Sequence, residues 1–107
     1  MPPKPSSIGA ERKTWTNLFP AIEAEGRTFS FKPSLSVEVS NDGDYWVGFN
    51  SDFDIETVAQ SFEGAIDAVG VEIASLWDHI ATEDDKNLTA DAQRLKQKLL
   101  KRIHEAI

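Results

Sequence analysis

Cysteine is absent from the 107 residues, which excludes disulfides and thiolate-held metals and fits a reducing compartment. Long apolar runs are missing as well. The opening Met-Pro-Pro-Lys-Pro-Ser-Ser has no hydrophobic signal core, so no membrane span or targeting segment is expected, and a cytoplasmic protein is. Glycine-rich phosphate loops and a serine flanked by glycines in a nucleophile elbow do not occur. Histidine occurs twice, at His79 and His104, outside any His-Glu-x-x-His arrangement and with no partner in sequence to orient a general base. Asp42, Asp44, Asp52 and Asp54 lack the spacing and closing glutamate of a calcium loop, and read as turn residues. Neither an enzyme nor a bound metal or cofactor is therefore expected.

The most informative shortage is of positive charge. Residues 33–85 hold 13 Asp and Glu and no Lys or Arg, whereas residues 86–107 hold 6 basic and 2 acidic residues. Net charge is -7, concentrated in an acidic body followed by a basic C-terminal segment. Such a body repels nucleic acid and membrane surfaces and attracts basic proteins at rates that fall with salt. Phe29, Phe31, Tyr45, Trp46 and Phe49 resemble a stacking platform in composition, but without cations beside them core packing or a protein contact is expected, not direct nucleic-acid binding.

What is present organises the chain around residues 61–81. Phe62, Ile66, Val69, Ile73, Leu76 and Ile80 recur at steps of four and three, the spacing of one apolar helix face, with Ser61 placed to cap the first turn. Residues 1–10, with three prolines, are expected to form a flexible tail, and residues 11–107 a single α+β domain. Residues 11–25 space Trp15, Leu18, Phe19 and Ile22 as a helix would, and Pro20 divides them into two helical turns, the second stopping at Gly26. From Thr28 the period becomes two: Phe29, Phe31, Leu35, Val37 and Val39 alternate with polar residues, as in a strand buried on one face, with Pro33 marking an edge, bulge or break.

Asn41-Asp42-Gly43-Asp44 followed by Tyr45-Trp46-Val47-Gly48-Phe49 signals a hairpin. Of two candidate registers, the three-residue loop is preferred, because it pairs Val39 with Tyr45, Val37 with Val47 and Leu35 with Phe49. A short third strand over residues 55–59 leads into the helix. Beyond a charged linker, Thr89 caps a last helix that buries Leu88, Ala92, Leu95, Leu99 and Ile103. The expected architecture is a three-stranded antiparallel sheet on a long helix, with N-terminal helical turns and a C-terminal helix.

Val37-Glu38-Val39, Asp42-Gly43, Tyr45-Trp46-Val47, Glu56-Thr57-Val58-Ala59 and Ser61-Phe62-Glu63-Gly64-Ala65 together resemble the HicB-type antitoxins across residues 35–80. Phe53-Asp54-Ile55 stand where that family has a Pro-Gly-Cys-like segment, and the segment after Ile80 does not read as a helix-turn-helix or ribbon-helix-helix unit. The resemblance implies a sheet-and-helix domain that masks a small basic toxin ribonuclease. It also fits a phage-encoded inhibitor, such as an anti-CRISPR, whose acidic body imitates nucleic acid before a nucleic-acid-binding defence protein.

Two residue sets are therefore candidates for function. Asp42, Asp44, Asp52, Asp54, Glu63, Asp67 and Asp78 form the expected acidic face for a basic protein partner. Gly64, Ala68, Val71, Ser75 and His79 form a stripe of mostly small residues on the long helix, open to the basic last helix or to another subunit, including a second copy in a homodimer. The alternative function is accordingly a structural or assembly module that self-associates through its helices.

Overall fold

The computed structural model describes residues 13–107; the expected tail over residues 1–10 lies outside the described residues. Five antiparallel strands and two helices make an α+β fold: β1 (Thr14–Ala24), β2 (Arg27–Asp42), β3 (Tyr45–Asn50), β4 (Ile55–Ala59), α1 (Phe62–Leu76), α2 (Ala90–Arg102) and β5 (Ile103–Ala106). The sheet order is β1-β2-β3-β4, with β5 pairing β2 near Phe29–Phe31. It thus has five strands, not the three expected.

The added N-terminal strand replaces the helical turns expected there, and its pairing explains the misleading spacing. Trp15, Asn17 and Phe19 face Val39, Val37 and Leu35, but the register shifts at Pro20, after which Ile22 faces Phe29. A one-residue slip of phase turns steps of two into the interval of four and three from Trp15 through Phe19 to Ile22, which imitates a helix face. Pro20 and Pro33 both lie in this irregularity, where neither amide could have joined a ladder. Gly26 closes a hairpin with Glu25 instead of stopping a helix, both residues having positive φ.

The second hairpin also departs from the expected register. Asp42 faces Tyr45, Val39 faces Gly48 and Glu38 faces Phe49, so the loop is Gly43-Asp44. Gly43 has φ 74 while Asp44 stays negative, the pattern of a two-residue turn with glycine first. This register sends Trp46, Gly48 and Asn50 toward the helix and Tyr45, Val47 and Phe49 to the opposite face.

Helix α1 lies across the inner face. Ser61 caps it by accepting from Gly64 N–H at 2.9 Å, and the helix runs on into a π-helical turn, Trp77–Ala81. Val69 and Ile73 are fully buried, and Phe62, Ile66, Leu76 and Ile80 pack at the margin of the core. Small residues set how close the helix comes: Ala65, Gly70 and Ala74 are buried with the stripe. At Gly48 a Cβ would stand 2.7 Å from the Ala65 carbonyl oxygen, so only glycine admits the helix backbone there.

Helix α2 begins at its expected cap, Thr89 accepting from Ala92 N–H at 3.2 Å, and buries Leu99. It packs on the Trp77–Ala81 turn and the β2–β5 end of the sheet. Arg102 fastens it there, ion-paired to Asp52 and donating to the Pro33 carbonyl at 3.1 Å.

Candidate protein-docking face

Pairing fixes which side chains share the outer face of the sheet. One row runs Thr16, Glu38, Phe49, Glu56 across β1 to β4, and the next runs Thr14, Ser40, Val47, Val58. Asp42 and Tyr45 form a third partial row, and Leu18 opposite Ser36 a fourth. Leu18 and Val58 are 67% and 63% exposed, and neither they nor Val47 and Phe49 belong to the core or its margin. Both helices lie on the other face, so an apolar strip is left uncovered by any described element.

The strip is acidic at its flanks. Glu38 and Glu56 lie on the strands either side of Phe49, about 10 Å apart given the usual strand spacing. Neither makes an ion pair among the described residues, and no Lys or Arg occupies a paired outward position in these rows. A lysine or arginine laid over Phe49 would have a carboxylate on the strand at each side.

The expected acidic face is not one surface. Asp42 and Asp44 lie at one end of β3 and Asp52 and Asp54 at the other. Asp52 is ion-paired to Arg102, and its backbone carbonyl accepts from Lys98 Nζ at 2.9 Å. Asp78 receives both guanidinium nitrogens of Arg27, at 2.7 and 2.8 Å. That doubly hydrogen-bonded cation holds the Asp78 carboxyl below the ordinary carboxylate range and pushes Arg27 higher still. Asp78 therefore closes the fold at the β1–β2 turn, and reversing its charge would break a tertiary contact. Asp44, Asp54, Glu63 and Asp67 are exposed and make no ion pair among the described residues.

The small-residue stripe is divided too. Gly64 packs over the end of β4, where a Cβ would lie 3.2 Å from Ala59 Cβ, and Ala68 is half-buried. Val71, Ser75 and His79 line a cavity of ≈ 490 Å³ with Glu25, Arg27 and Asp78. His79 Nδ1 lies 2.8 Å from the Ser75 carbonyl oxygen. Helix α2 takes its place against the Trp77–Ala81 turn instead of along the stripe.

A second aromatic group stands at the inner margin. Trp15, Trp46 and Phe62 contact one another with ring centroids 5.7–6.0 Å apart, beside a cavity of ≈ 400 Å³ that Lys13 and Asn41 also line. Among the described residues no group of three or more His, Cys, Asp or Glu is placed to hold a metal ion. No described helix is long and apolar enough to cross a membrane. Glu38, Glu56 and Val58 are not among the site residues expected from sequence, though the alternations Val37-Glu38-Val39 and Ile55-Glu56-Thr57 set each glutamate on the wet face; Phe49 is expected in the core or at a protein contact. No family model, curated protein or solved structure matches the chain.

Proposed function

We propose that this chain is a non-enzymatic binding protein that neutralises a basic, nucleic-acid-handling protein, and that the partner docks on the outer face of the sheet. The observation that carries the proposal is the strip of half-buried Phe49 and Val47 and exposed Val58, which no described element covers, with Glu38 and Glu56 beside it and no Lys or Arg paired in the two rows that hold them, among the described residues. Exposed apolar patches of this kind mark contact surfaces, and the single sign of charge selects a basic partner and speeds encounter. The HicB resemblance supports the same class of partner, a toxin ribonuclease or a defence protein met by a phage inhibitor. The order hairpin, short strand, helix in β2 to α1 is in keeping with it.

Selection from a random peptide library against the immobilised chain tests the proposal. Enriched sequences should carry Lys or Arg next to apolar residues. Their binding should fall by about tenfold or more in the Glu38→Lys, Glu56→Lys double variant and weaken as salt shortens the Debye length. Enrichment without basic residues, or binding indifferent to both substitutions, would refute it.

A further inference from the structure

We infer that the basic partner enters as an extended segment that adds a strand to the free edge of β4, an inference that rests on the docking face proposed above. Size is the first argument. Four strands at about 4.8 Å and the rows from Leu18 to Tyr45 at about 6.8 Å span only about 400 Å², roughly half of what one partner contributes to a stable complex. A partner that buries a standard interface therefore reaches past these rows, and beside them lie the two edges of the four-stranded part of the sheet, β1 and β4.

The edges differ in a way that selects one. β1 is interrupted by Pro20 at a register shift, the kind of feature that blunts an edge against further pairing. β4 pairs without interruption from Ile55 to Ala59, contains no proline, glycine, lysine or bulge, and no described strand pairs with its other side. Its outward side chains are Glu56 and the exposed Val58, so the free edge borders the apolar strip directly.

The chemistry of the edge then describes its occupant. An added strand puts its side chains beside those of β4 with a period of two. Lys or Arg falls opposite Glu56 and Val, Ile or an aromatic residue opposite Val58, so the recognised segment alternates cation and apolar residue on one face. A second copy of this chain fits less well, since each carries a net charge of -7 and would bring its own Glu56 to the same edge.

A short peptide alternating arginine and valine tests this with the full chain. The control is the same peptide N-methylated along its centre, which keeps the side chains and removes strand pairing. In excess plain peptide, alternate amides within Ile55–Ala59 should exchange about tenfold more slowly. The N-methylated peptide should bind about tenfold more weakly. Equal binding of both peptides, lost in Glu38→Lys, Glu56→Lys and without protection of β4, would overturn strand addition and leave docking on the face intact. Failure of both peptides to bind would overturn strand addition, while docking on the face stands or falls with the library selection. A dimer of the chain alone that protects the same amides would overturn the basic segment as occupant and put a second copy there.

Discussion

Replacing Gly48 with alanine tests whether helix α1 is seated on the sheet by the absence of one side chain. The new Cβ would lie 2.7 Å from the Ala65 carbonyl oxygen and 2.7 Å from Thr57 Oγ1, where ordinary contact begins at 3.4 Å. Ala65 is fully buried in the first turns of the helix, so the conflict is with backbone and cannot be relieved by turning a side chain. Moving Thr57 would also disturb its 3.1 Å hydrogen bond to that carbonyl. Overpacking of this kind costs about 1–3 kcal/mol. Alanine restricts the unfolded chain and returns about 0.4–1 kcal/mol, leaving a net loss of about 1–2 kcal/mol. With a urea slope of about 1–3 kcal/mol/M, the midpoint should fall by roughly 0.3–2 M while the slope is unchanged. An equal or higher midpoint would show that the helix does not rest on Gly48.

Ile73→Ala should lower stability by about 2–5 kcal/mol in denaturant titration, since the side chain is fully buried; a loss below about 0.5 kcal/mol would remove it from the core. Leu100→Ser, half-exposed on α2, should stay within about 0.5 kcal/mol of the parent in the same assay. Thr89→Ala should cost about 0.5–2 kcal/mol, with Thr89→Asp restoring most of it. Asp78→Asn should be less stable than the parent at neutral pH. Because Arg27 depresses the folded-state value, the parent's advantage is present above the unfolded carboxylate value and is lost as pH falls through the folded one. Urea titrations of both proteins across the acid range check this, and a difference that persists in strong acid would assign it to packing.

The helices were legible because their signals are local. A stripe at 3.6-residue spacing and a capping hydroxyl within three residues of the amide it serves are both visible in a single window, and Ser61 and Thr89 cap as expected. The N-terminal strand was not, because Pro20 shifts its phase and a phase-shifted strand shares the intervals of a helix. The hairpin register failed for a related reason. Adjacent Tyr45 and Trp46 are both aromatic, so apolar size does not say which faces inward. What decides is Gly48, whose missing side chain lets Ala65 approach and so fixes the inward set as Trp46, Gly48 and Asn50. Asn50, polar yet buried, completes that set by donating to the Ser36 carbonyl and accepting from Phe53 N–H, each at 2.8 Å.

Charge, unlike periodicity, cannot be assigned a role from a window at all. Counting acids marks Asp52 and Asp78 alongside Glu38 and Glu56, but the cations that claim the first two come from 50 and 51 residues away in sequence. Lys96 likewise takes Asp85 across 11 residues. The basic C-terminal segment therefore pairs Arg102 and Lys96 with the acidic body, and it does so on the helical side of the sheet, where α2 packs. Cations anchored there cannot reach Glu38 and Glu56, whose row lies on the opposite face. The layered fold itself separates the acids that hold the chain together from Glu38 and Glu56, which make no ion pair among the described residues. One face of a sheet can thus stay acidic in a protein that supplies its own counter-charges, provided the sheet stands between them.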